Sequence, residues 1–101
     1  MIDLQDIEII EGETTATTQQ YYETIQKAIN TGMWGLQGSY GRTMMEAINE
    51  GYCMLGHNDA TDYYGNHIPS RDQVKAGTKG SYEYVAKAYN EGWAQHMSEV
   101  E

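Results

Sequence analysis

Apolar residues recur at helical spacing in three stretches of this chain. In "TTATTQQYYETIQKAINTG", Tyr21, Tyr22, Ile25, Ala28 and Ile29 fall three and four residues apart. Thr17 stands three residues before Gln20, the spacing of a capping box. These signals predict a helix over 18–31. A second helix is expected over 40–50, where Met44, Ala47 and Ile48 share a face behind Ser39 as a cap. A third, over 81–91, collects Tyr82, Val85, Tyr89 and then Trp93 on one side. The period changes at the start of the chain: in "IDLQDIEIIEGET", Ile7 and Ile9 alternate with acids before Gly12, which predicts a strand over 6–11. The short run "GYCMLG" is a second strand candidate to pair with it, and a third near His67 and Ile68 would complete a small sheet.

The expected architecture is α+β: a single domain over 1–101 in which three helices pack with a small sheet that includes the N-terminal strand. An all-α arrangement with irregular ends is the alternative. A chain of 101 residues hides roughly two thirds of its unfolded surface, enough for one modest core. No run approaches the roughly 20 apolar residues of a membrane span. The opening "MIDLQDIEII" carries acids where a secretory signal needs basic residues. No membrane partner is expected.

Three similar octapeptides, "KAINTGMW", "EAINEGYC" and "KAYNEGWA", each place a glycine after a helical pattern, at Gly32, Gly51 and Gly92. A glycine there closes a helix in the left-handed conformation, and the next residue, Met33, Tyr52 or Trp93, is positioned to touch Ala28, Ala47 or Ala88 one turn back. The intervals between copies are unequal, so the similarity reads as three helix stops and not as a solenoid.

Charge narrows the partners. Fifteen acidic residues against six basic ones leave a formal net charge of −9, which argues against direct contact with nucleic acid. Asp3, Asp6, Glu8, Glu11, Glu13 and Glu23 all precede the first basic residue, Lys27, so the N-terminal third, which begins with the acidic segment 1–16, is the negative pole. Such a pole suits a basic protein surface or serves solubility. Cys53 is the only cysteine, which excludes an internal disulfide and a thiolate metal cluster, fits a reducing cytoplasm, and reads as a small buried apolar residue.

The segment 56–80 lacks periodicity, contains the only proline and reads as a long loop, of a length that is often functional. Ser70 and Gln73 stand at capping-box distance and predict a short helical turn. His57, Asp59, Asp62 and His67 are chemically suitable metal ligands, but their spacing matches no metal motif, and no metal is expected. Arg71, Lys75 and Lys79, with the amides of Gly80 and Ser81 ahead of a helix, form a candidate site for a small anion or nucleotide. The order of "GTKGS" is not that of a phosphate-binding loop. The chain has nine tyrosines and no phenylalanine. Tyr21, Tyr82 and Tyr89 are assigned to the core, and Tyr63 and Tyr64 to an interface, where an apolar ring with a polar tip is useful. No catalytic constellation or cofactor motif stands out.

The stretches "LQGSYGRTMMEAINEGYCMLG" and "DYYGNHIPSRDQVKAGTKGS", with the helix after them, resemble a group of small bacteriophage-encoded proteins, especially those of actinobacterial phages. The resemblance covers about Leu36 to Tyr84. It implies a host cytoplasm and a setting in which small acidic proteins obstruct host enzymes or defence systems, and it carries over no catalytic residue. The leading expectation is therefore a non-enzymatic binding protein that engages a basic surface of a host protein, by DNA mimicry in one form, through Asp3, Asp6, Glu8, Glu11, Glu13, Tyr63 and Tyr64. The alternative is a binder of a small anionic ligand at Arg71, Lys75, Lys79, Gly80 and Ser81, with Tyr63 or Tyr64 stacked on a base.

Overall fold

The computed structural model describes residues 3–12, 14–35 and 38–101. Five α-helices are present among them: α1 (Leu4–Ile10), α2 (Thr18–Asn30), α3 (Gly38–Asn49), α4 (Tyr82–Ala88) and α5 (Glu91–Ser98). A 3-10 turn, Met33–Gly35, links α2 to α3. Two two-residue strands, β1 (Ala60–Thr61) and β2 (His67–Ile68), pair antiparallel, with Ala60 opposite Ile68. The protein is mostly helical, which overturns the expected three helices packed with a sheet.

The N-terminal strand over 6–11 is the first correction. Asp3 caps a helix here: its side chain accepts from the Asp6 amide at 2.9 Å, and the Asp6 carboxylate accepts from the Asp3 amide at 3.1 Å. Thr17 and Gln20 form the same reciprocal box at the start of α2. Seven residues cannot separate a two-residue from a 3.6-residue period, and the cap decides. The apolar run 53–55 is the second correction, because it is buried without a strand neighbour. Its backbone bonds go to other partners: the Cys53 and Leu55 amides donate to the carbonyls of Ala47 and Gly80, and side chains meet the rest. The Gln26 amide nitrogen donates to the Met54 carbonyl at 2.8 Å, while its oxygen accepts from the Met54 amide at 2.9 Å. Of the strand predictions, only the one at His67 and Ile68 holds, and its partner is β1.

The helix expected over 81–91 is two helices. Tyr89 ends α4, and Asn90, fully extended at φ −172° and ψ 169°, caps α5 by accepting from the Trp93 amide at 2.7 Å. Gly92 therefore lies inside α5 and stops nothing. The other two glycine stops hold. After α3, the Gly51 amide donates to the Ile48 carbonyl and the Tyr52 amide to that of Ala47, the paired bonds of a Schellman motif. Gly51 has φ +84°, and a β-carbon there would collide with that of Ala88, so both conformation and space demand glycine. Ser39 lies within α3 and is not the residue before it. Ser70 and Gln73 close only a turn.

The core joins Ile25, Ala28 and Ile29 of α2 with Met44, Ala47 and Ile48 of α3, then Cys53 to Leu55, Ile68, Val85, Ala94 and Met97. Trp34 of the 3-10 turn and Ile68 of β2 belong to this core, so the hairpin is bound to it at its base. Burial pushes the Cys53 thiol well above its ordinary range. No helix is long and apolar enough to cross a membrane among the described residues.

Candidate functional site

The tip of the hairpin is built by Asp62. Its Oδ1 accepts from the amides of Tyr64 and Asn66 at 2.9 and 2.8 Å, and its Oδ2 accepts from the Asn66 side chain at 3.2 Å. The Asn66 amide leads the donors that hold this carboxyl below the usual range. A second turn bond, from the Gly65 amide to the Asp62 carbonyl, closes the loop. With the backbone tied down, Tyr63 and Tyr64 project outward, 57% and 68% exposed, their rings 5.3 Å apart and nearly perpendicular. Asp62 is thus a structural residue of the tip.

Beneath the two rings, where the hairpin meets the 3-10 turn and α3, lies a pocket of about 190 Å³. Trp34, Met45 and Ile68 give it apolar walls beside the tyrosines, Gly41 leaves room on α3, and Arg42 and Asp62 are its charged groups. A pocket of this size is below the roughly 300–1,000 Å³ typical of small-molecule sites. It is near the roughly 150 Å³ that holds a benzene ring. One inserted side chain is the occupant it fits.

The other residues singled out from sequence do not gather here. Asp3 caps α1, and Asp6 is buried against Lys27 at 2.8 Å. Burial works to raise the Asp6 carboxyl, but the Lys27 ammonium and the Asp3 amide outweigh it, and the group titrates below its ordinary value. Glu11 accepts from the Tyr40 hydroxyl at 2.5 Å, and Glu8 is half-buried. Glu13 lies outside the described residues. The N-terminal acids are therefore divided between capping, an internal ion pair and surface, and do not form one uniform exposed face.

Arg71 is committed to the interior. Its Nε donates to the Leu55 carbonyl at 2.7 Å and a terminal nitrogen to the Asn30 side chain at 3.2 Å, and burial lowers its pKa. Gly80 and Ser81 are buried. The Ser81 amide donates to the Thr78 carbonyl, and its hydroxyl accepts from the amides of Gly77 and Tyr84. Lys75 and Lys79 are exposed. This segment is a clamp that fastens 70–81 to the core, with Arg71 and the Ser81 amide turned inward and the two lysines left at the surface. His67 and Asp59 approach to 4.0 Å, His57 is exposed, and no three potential metal ligands converge among the described residues.

Sequence reasoning found the tyrosines of the site but missed Trp34, Gly41, Arg42 and Met45. The available signal was Gly41 and Met45, four residues apart beside the buried stripe of α3. Comparison of the chain with family models, curated proteins and solved structures finds no match.

Proposed function

We propose that this chain is a non-enzymatic binding protein that engages a partner protein through the Tyr63–Tyr64 pocket. The observation that carries this reading is an exposed aromatic pair set on a hydrogen-bonded turn beside an apolar pocket sized for one side chain. Tyrosine and tryptophan around a desolvated pocket are the usual composition of an interface hot spot. The net charge of −9 speaks for a partner with a basic surface, drawn in by long-range attraction and seated by the pocket. Burial of Asp6 and the capping role of Asp3 weigh against DNA mimicry by the N-terminal segment, since two of its five acids are engaged within the fold. The resemblance to phage-encoded proteins makes a bacterial host protein the expected partner.

A photo-crosslinking amino acid in place of Tyr64 tests the reading in bacterial lysate, with the same group in place of the exposed Glu99 as the control position. The expected result is a discrete cross-linked protein from position 64 alone, its yield falling as salt rises. Equal or absent cross-linking from the two positions would reject the pocket as the contact.

A further inference from the structure

Two polar groups of the pocket that can only donate, the Trp34 indole and the Arg42 guanidinium, are uncommitted among the described residues. Trp34 is only 2% exposed and its indole nitrogen makes no hydrogen bond among the described residues. Among the described residues no side-chain nitrogen or oxygen is sealed off without a partner, so this N–H reaches open space, and Trp34 is one of the residues that line the pocket. Arg42 is exposed and has no ion pair or hydrogen bond among the described residues. The one acid of the pocket, Asp62, already accepts three hydrogen bonds from its own loop. The hydroxyls of Tyr63 and Tyr64 can donate or accept and do not decide the matter. A complementary occupant therefore joins an apolar body to a strong acceptor, and beside a guanidinium that acceptor is a carboxylate.

Resting on the binding role proposed above, we infer that the pocket receives the C-terminal residue of a partner chain. Its apolar side chain inserts against Trp34, Met45 and Ile68, and its terminal carboxylate meets Arg42 and the indole N–H. The volume of about 190 Å³ admits a single leucine- or phenylalanine-sized group, and the exposed faces of Tyr63 and Tyr64 then cover the preceding residues. A chain terminus also resolves a conflict of charge. A partner that is basic overall approaches this acidic protein favourably, while its one terminal carboxylate finds the local arginine.

The test is a nitrogen–proton NMR titration of the intact protein with acetyl-Gly-Gly-Leu as the free acid, with the same peptide as its C-terminal amide, and with isovalerate, each at millimolar concentration. The indole signals give an internal contrast, since the Trp93 N–H is already bonded to the Tyr52 carbonyl at 2.9 Å. The free acid should shift the Trp34 indole signal saturably and leave that of Trp93 in place. The amide should bind about tenfold more weakly, as expected for loss of a charge-assisted bond. Arg42→Gln should reduce the acid to the level of the amide while the rest of the spectrum stays folded. Equal binding of acid and amide would overturn the carboxylate assignment and leave the pocket as a plain side-chain acceptor. Isovalerate binding as tightly as the peptide would overturn the chain terminus in favour of a free branched acid. A Trp34 signal unmoved by all three overturns the inference, and cross-linking at position 64 then decides the binding role independently.

Discussion

The chain contains two Tyr-Tyr dipeptides whose rings adopt nearly the same geometry: Tyr21 and Tyr22 lie 5.0 Å apart at 82°, Tyr63 and Tyr64 5.3 Å apart at 83°. Their surroundings differ completely. Tyr22 stacks on Tyr52 at 3.9 Å with the planes 8° apart, Tyr52 continues to Tyr89 at 4.4 Å, and Tyr89 to Trp93. That ladder ties the start of α2 to the segment after α3 and to the junction of α4 and α5. Among the described residues the loop pair stacks on no further ring; beyond it are solvent and the pocket, with Trp34 in its wall. The same dipeptide is thus a structural tie in one place and, in the other, an exposed pair to which the proposal above gives a recognition role. What separates them is whether a second layer of aromatic rings stands behind.

The largest effect that would break this contrast lies at the base of the ladder. Gly51→Ala combines a left-handed backbone with a collision against Ala88, and it displaces Tyr52 from its stack. A loss of more than about 3 kcal/mol in urea unfolding is expected. Tyr22→Ala removes a stacked ring and should cost about 2–3 kcal/mol by the same measurement. The Tyr22 hydroxyl is pushed up to about 12, first by burial and then by the adjacent Tyr52 and Glu50. A phenol whose folded pKa is raised contributes stability that is complete below its ordinary value of 10.0 and is lost as pH rises toward 12. The midpoint for unfolding should therefore drop over that interval in the parent, and much less in Tyr22→Phe.

A smaller effect is expected at α1. Lys27→Met removes the partner of Asp6 and should cost about 1 kcal/mol, since the lysine is partly solvated. The Asp6 carboxyl titrates below its ordinary 3.8, so its contribution is present above that value and is lost as pH falls through the lower folded one. The acid limb of the stability curve should flatten in the variant. The smallest stability change belongs to the loop pair: Tyr64→Ala should stay within about 0.5 kcal/mol of the parent. A loss as large as that of Tyr22→Ala would erase the distinction between the two pairs.

Much of the helical content was legible because it rests on local chemistry. Thr17 and Gln20 announced α2, and the spacing of Met44, Ala47 and Ile48 announced α3. Asp3 and Asp6 offered the same kind of cap for α1, but the alternation of Ile7 and Ile9 with acids competed with it over a stretch too short to resolve the period. The break at Asn90 was hidden because apolar spacing continues from Val85 through Tyr89 to Trp93 across the junction. The burial of 53–55 without a strand neighbour depends on Gln26 and Arg71, distant in sequence, and no local pattern encodes that. The site followed the same rule. Tyr63 and Tyr64 stood out as aromatic residues in a polar loop; of the tyrosines assigned to the core, Tyr21 and Tyr82 pack against it half-buried, whereas Tyr89, 41% exposed, lies at the surface end of the ladder. The walls of the pocket come from three separate segments, and only the fold unites them.

The division of labour between the two pairs is tested most directly by capture from bacterial lysate with three immobilised chains of verified stability: the parent, the double variant Tyr63→Ala/Tyr64→Ala, and the charge variant Glu8→Gln/Glu11→Gln. The protein that cross-links at position 64 should be retained by the parent, lost from the tyrosine variant, and held by the charge variant with reduced dependence on salt. Retention by the tyrosine variant equal to that of the parent would contradict recognition through the loop pair.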